Sequence, residues 1–167
     1  MIDPYHLTRH VICPAIDSVG LYSAEAAVLL LGTAAVESHC GTYLKQIGGG
    51  PALGVFQMEP ATHDDIIANF LAYRAGLMRA VGATVLRTSA AEMTGNLTYA
   101  AIMARLHYRR VPEPLPNRHL VKAQGEYWKQ HYNTPEGAGS VRKYIDAMMP
   151  VVATANDAID DFEKEVR

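Results

Sequence analysis

Glu37 stands at the end of an apolar run, Ala34-Ala-Val-Glu-Ser38, and Gly54-Val-Phe-Gln-Met-Glu-Pro60 follows after a glycine-rich stretch. A carboxylate at the end of a helix that is apolar nearly all round is partly withdrawn from water. Desolvation penalises the charged form, raises the pKa and leaves the carboxyl protonated near neutral pH, where it can serve as a general acid. Protonating the oxygen between two sugars is work for such a group, so the expectation is cleavage of a glycosidic bond. A hydrolase would need a second carboxylate to activate water or stabilise the cation, and Glu59, Asp64 and Asp65 are the candidates. Asp64 and Asp65 also suit a helix start, where negative charge favours the dipole.

Other chemistries find less support. His39, Cys40, Glu59, His63, Asp64 and Asp65 fall in one region, and His6 and His10 are four apart on a predicted helix. Zinc wants three or four such ligands converging, yet neither His-Glu-x-x-His nor Cys-x-x-Cys occurs, and no metal is expected. No cofactor is expected either. The dinucleotide fingerprint, the phosphate loop and the Gly-x-Ser-x-Gly elbow are all missing. Gly48-Gly-Gly50 has no Lys-Ser or Lys-Thr after it and reads as a flexible loop beside a cleft.

The elements that must hold Glu37 are helical. Leu7, Val11 and Ile12 predict a short amphipathic helix stopped near Pro14. Ser23 caps a helix running to about Ser38, whose Ala26, Ala27, Leu30, Leu31, Ala34 and Ala35 cover most of its circumference; such a helix is central and buried. Residues 39–60 carry five glycines and two prolines and read as a loop or short hairpin. Thr62 with Asp65 resembles a capping box, and Ile66, Ile67, Phe70, Leu71, Leu77, Met78 and Val81 continue at helical spacing. Ser89-Ala-Ala-Glu92 is a second capping box, and Asn96 restarts a helix after Gly95, to about Arg110. Further helices are expected at about 119–131, 140–149 and 151–165, after a stiff connection at Val111–Pro116. The fold class is therefore mostly α, with residues 1–167 forming a single domain.

Bulk properties narrow the partners. The 167 residues include 15 basic and 17 acidic side chains for a net charge of −2, so no strongly positive field invites nucleic acid. The longest apolar stretch, Ala26 to Val36, is interrupted by Gly32 and Thr33 and falls short of the roughly 20 residues a membrane span needs. Met1-Ile-Asp-Pro-Tyr-His has no basic stretch followed by an apolar one, so no signal peptide is expected and the protein is made in the cytoplasm. Cys13 and Cys40 read as two buried free thiols rather than a disulfide framework.

Three motifs in order resemble the lysozyme-like superfamily, in particular the soluble lytic transglycosylases and goose-type lysozyme relatives. They are Glu37-Ser38, Gly54-Val-Phe-Gln57-Met-Glu-Pro60, and His131-Tyr-Asn133-Thr-Pro-Glu-Gly137, with Asn96-Leu-Thr-Tyr-Ala-Ala on the intervening helix. The resemblance covers roughly residues 24–145. It implies a lysozyme-like helical domain whose glycine-rich loop or hairpin flanks the cleft. It implies that Glu37 protonates the bond between N-acetylmuramic acid and N-acetylglucosamine in peptidoglycan, then takes a proton back. Gln57 would lie along the cleft, Tyr132 would set its hydroxyl across from Glu37, and Asn133 would hold the loop carrying Tyr132. Phe56 would pack beneath the turn. The plain alternatives are that Gln57 bonds only the turn backbone and that Tyr132-Asn133 is an ordinary helix end. Glu59 departs from the family pattern, which has an apolar residue there, and puts a second carboxylate by the cleft. A transglycosylase needs one carboxyl, a muramidase two, and a non-catalytic glycan-binding or virion structural protein would need neither. Peptidoglycan strands are the implied partner. Small size and the expected lack of a signal suit a bacteriophage protein acting on the bacterial cell wall, either beside other virion proteins or as a lysis enzyme.

Overall fold

The computed structural model describes residues 1–133 and 137–166, and it is mostly helical. Helix α1 (Pro4–Leu7) starts at Asp3, whose carboxylate accepts from the His6 amide, and runs through a π-helical turn (Thr8–Ile12) into α2 (Cys13–Ser18). The expected stop near Pro14 is not made. The Cys13 amide reaches back to the Thr8 carbonyl, five residues away, and this wider turn precedes the proline. Proline cannot donate and its ring crowds the carbonyl four residues back; a π turn just ahead of it lets the helix continue.

Helix α3 (Ala24–Ser38) is the central element. Ser23 caps it by accepting from the Ala26 amide at 3.1 Å. Residues Ala26 to Ala35 are all buried, as its apolar circumference predicts. It ends where His39 enters the left-handed region at φ 49°, and the Cys40 amide closes onto the Ala34 carbonyl at 3.0 Å.

Between α3 and the next helix the chain makes isolated bridges and no strand among the described residues. Leu53 pairs with Lys45 on one side and with Met58 on the other. Helix α4 (Pro60–Asn69) begins at Pro60 rather than Thr62; proline at the first position lacks only an amide that would have no partner there. The helical spacing from Ile66 to Val81 is broken into α4, a 3₁₀ turn (Leu71–Tyr73) and α5 (Ala75–Gly82), with Arg74 leaving helical geometry at φ −136° and ψ 69°. The Ser89 box caps only a 3₁₀ turn (Ala90–Thr94) before Asn96 starts α6 (Leu97–Arg109), its side chain accepting from Tyr99 N at 2.9 Å. Helices α7 (Val121–His131), α8 (Val141–Met148) and α9 (Val152–Val166) follow. No helix among the described residues is long and apolar enough to cross a membrane. Cys13 and Cys40 are both free and buried, and burial pushes their thiols up to about 12 and about 11.

Helix α8 packs on both α3 and α7, and Tyr144 is the reason. Its ring fills the space left by two glycines, Gly32 of α3 and Gly125 of α7. A Cβ on Gly32 would overlap the Tyr144 hydroxyl, so the break in the apolar run of α3 is a socket. Thr33 beside it satisfies its buried hydroxyl on the Leu29 carbonyl and on Tyr108 Oη, each at 2.8 Å.

Gly32→Ala is expected to lose about 2 kcal/mol despite alanine's better helix propensity, because the overlap falls on a buried ring. Thermal denaturation reads this as a drop of roughly 4–8 °C. Tyr144→Phe in the same chain removes the nearest clashing atom and recovers part of the loss. Strict additivity of the two changes would refute the contact.

Candidate functional site

The end of α3 delivers Glu37 to the wall of an open groove of about 660 Å³. Ser38 anchors this end. Its hydroxyl donates to the Val55 carbonyl at 2.6 Å and accepts from the Gly41 amide at 2.8 Å, so helix and turn cannot separate without stranding buried polar groups.

The turn itself is held carbonyl by carbonyl. Gln57 donates its side-chain amide to Gly54 O at 2.8 Å, Ser38 holds Val55 O, and Tyr132 donates its hydroxyl to Phe56 O at 2.8 Å. Gly54 has φ +73°, and a Cβ there would strike the Met93 carbonyl, so this position accepts only glycine without rearrangement. Gln57 is itself left-handed at φ +47°, a conformation that non-glycine residues seldom adopt. Phe56 is buried in the core beneath the turn.

Glu37, Gln57, Glu59, Tyr132 and Asn133 all line the groove. Gln57 combines both expectations, since it bonds the turn backbone and still faces the groove. Tyr132 lines it too, but the bond its hydroxyl makes is to the Phe56 carbonyl. Burial, and then the charge of Glu37, hold the Tyr132 phenol well above its ordinary range, so it stays protonated. Asn133 braces its loop by accepting from Lys129 Nζ at 3.0 Å and from the Gly139 amide at 3.1 Å. Thr134-Pro-Glu136 of the third motif lie outside the described residues.

The carboxylate candidates separate. Glu59 is exposed and immediately precedes α4 at the groove. Asp64 is taken up by His63, 2.8 Å away, whose other ring nitrogen lies 2.7 Å from Tyr99 Oη. Asp65 accepts from Asn69 at 2.7 Å and pairs with Arg110, which together hold its carboxyl below the usual range. Among the described residues no group of three or more His, Cys, Asp or Glu side chains converges as metal ligands would. His6 and His10 are exposed, with ring centroids 5.3 Å apart.

Two site residues were not anticipated from the sequence. Trp128, the only tryptophan of the chain, donates its indole N–H to Glu37 Oε1 at 3.1 Å. It is buried against Tyr144, at 5.6 Å between ring centroids. Gly139 gives it room, since a Cβ there would meet the indole. His107 lines the groove and stands edge-on to Tyr132 at 5.0 Å. Its Nε2 donates to the His131 carbonyl at 2.7 Å and its Nδ1 accepts from Arg110 Nη2 at 3.2 Å, which fixes a neutral tautomer. Burial pushes its pKa down to about 4. The lone tryptophan, between Gly125 and Gly139, is the one sequence signal that could have drawn attention to it; nothing local marked His107.

Desolvation pushes Glu37 up to about 7, opposed by the Trp128 hydrogen bond, which favours the charged form. At neutral pH the carboxyl therefore exists in both states and can give a proton and take one back. No family model matches the chain, and neither does any curated protein or solved structure.

The raised pKa has a stability consequence with a definite sign. The folded state holds the Glu37 proton more tightly than the unfolded chain, whose carboxyl titrates near 4.5. That contribution is complete below about 4.5 and is lost as pH rises through about 7. Glu37→Gln, which cannot ionise, is expected to gain on the parent by on the order of 1–3 kcal/mol between pH 4 and pH 8. Melting temperatures of both proteins across that range test it, and a gap independent of pH would contradict the burial of this carboxyl.

Proposed function

We propose that this protein is a peptidoglycan-cleaving enzyme of lysozyme-like fold, acting as a lytic transglycosylase on the β-1,4 bond between N-acetylmuramic acid and N-acetylglucosamine. The observation that carries the reading is Glu37, a carboxyl withdrawn from water on the wall of an open groove, with a pKa pushed up to about 7. The resemblance of the Glu37-Ser38, Gly54–Pro60 and Tyr132-Asn133 motifs supports it, since these segments meet at one groove.

In this mechanism protonated Glu37 gives its proton to the bridging oxygen as the bond from the muramic C1 breaks. The substrate's own N-acetyl oxygen shields the electron-poor C1. The muramic 6-hydroxyl then attacks C1, and its proton returns to the Glu37 carboxylate. The products are a 1,6-anhydro end and a free 4-hydroxyl, with no net proton exchanged. Trp128 steers one carboxylate oxygen by its hydrogen bond, leaving the other for the sugar. Gln57 and Asn133 offer amide groups along the groove.

One carboxyl suffices for this route, and Asp64 and Asp65 are committed elsewhere. The exposed Glu59 on the same groove favours a second reading, hydrolysis by a muramidase that uses Glu59 to activate water. Association with a phage virion fits either reaction. A protein that only binds glycan would attach to sacculi without releasing soluble fragments.

Purified protein should clear murein sacculi, and Glu37→Gln should slow clearance by at least about 100-fold, the lower end of general-acid contributions. The rate should fall as pH rises through about 7, as Glu37 loses its proton. Mass spectrometry of the fragments should find anhydro ends; reducing ends would move the assignment to hydrolysis. Clearance by Glu37→Gln at the parent's rate would remove the proposal.

A further inference from the structure

A smaller notch of about 340 Å³ is lined in part by Arg110, which follows α6 and bonds the groove residue His107. Its apolar walls include Phe70, Leu77 and Val111, and its polar lining is Arg74, Arg109 and Arg110. Among the described residues no carboxylate lines it, in a chain whose net charge is −2.

The guanidinium groups are held in different ways. Arg74 sits over the Phe70 ring, 3.8 Å from its centroid, and spends one N–H on the Phe70 carbonyl at 2.8 Å. Arg110 pairs with Asp65 and gives a second N–H to His107. Arg109 is exposed and makes no side-chain hydrogen bond or ion pair among the described residues. Behind it, Arg105 is buried with its Nε on the Leu21 carbonyl at 3.0 Å, close enough to feel the Arg109 charge. Asp65 answers one of these cations, and among the described residues nothing that lines the notch answers the others. Like charges so gathered favour an incoming anion.

The shape selects among anions. Guanidinium forks match a planar carboxylate with paired hydrogen bonds. The apolar walls lie beside those forks and can cover a small side chain next to the acid, an area that inorganic phosphate would leave in water. We infer that the notch formed by Arg74, Arg109 and Arg110 binds a carboxylate carried on a short apolar peptide. Arg110 lines this notch and bonds His107, which lines the groove. Resting on the peptidoglycan reading, the occupant is an acid of the peptide borne by a glycan strand lying in that groove.

The test uses the full chain and a ligand without sugar. N-acetyl-alanyl-alanine, its carboxamide and inorganic phosphate are titrated separately, with binding followed by calorimetry and by amide chemical shifts. The acid is expected to bind and to shift the amides of Arg109, Arg110 and Val111, while the carboxamide binds at least roughly tenfold more weakly, as loss of a charge-assisted pair implies. Arg109→Gln, an exposed change, should weaken the acid by a similar factor with the melting temperature unmoved. Equal affinity for acid and carboxamide, no binding of either, or tighter binding of phosphate would each overturn the inference, the last assigning the notch to a phosphate group. No glycan takes part, so failure here leaves the cleavage reading standing. Failure to cut sacculi would leave the peptide titration to decide the notch by itself.

Discussion

The hydrogen bond from the Trp128 indole to Glu37 joins the two halves of the problem, because it is both a packing constraint and an electrostatic one. Trp128 reaches Glu37 while packed on Tyr144, and Tyr144 lies there because Gly32 has no side chain to overlap it and Gly125 leaves it room. Move any of these and the carboxyl loses the Trp128 donor that restrains its proton affinity. The positions of α3, α7 and α8 are thus set by the same rings that set the state of the acid.

The turn from Gly54 to Gln57 depends on a second set of constraints. Its carbonyls are claimed in succession by Gln57, Ser38 and Tyr132, which come from the turn itself, from α3 and from the end of α7. Buried carbonyls left unbonded are costly, so each bond also fixes where its donor stands. This accounts for a motif pattern spread over the chain. The residues need not all touch a ligand to be required together.

Local signals were legible and distant ones were not. Ser23 as a cap and α3 as a buried helix follow from nearest neighbours, and so does Asn96 at the start of α6. The stop expected at Pro14 failed because a π turn can absorb a proline, and the helical spacing through Arg74 failed because periodicity does not register a single residue leaving helical geometry. Gly32 read as an interruption because its partner is Tyr144, and Trp128 stayed hidden because its bond to Glu37 spans 91 positions. Glu37 stood out since its apolar flank is contiguous with it. Tyr132 could be placed near the cleft by resemblance, yet its bond to Phe56 belongs to the folded turn alone.

The high proton affinity of Glu37 comes from exclusion of water, opposed only in part by the Trp128 hydrogen bond. Mobile ions screen charge–charge interactions between exposed groups but scarcely alter the cost of burying a single charge. A proton held in this way stays at nearly the same affinity in dilute and in concentrated salt. The Asp65 carboxyl, exposed and depressed by Asn69 and Arg110, has no such immunity. The proton affinity of the Glu37 carboxyl is thereby insulated from the ionic strength of the surrounding fluid, a robustness that the surface charges around it do not share.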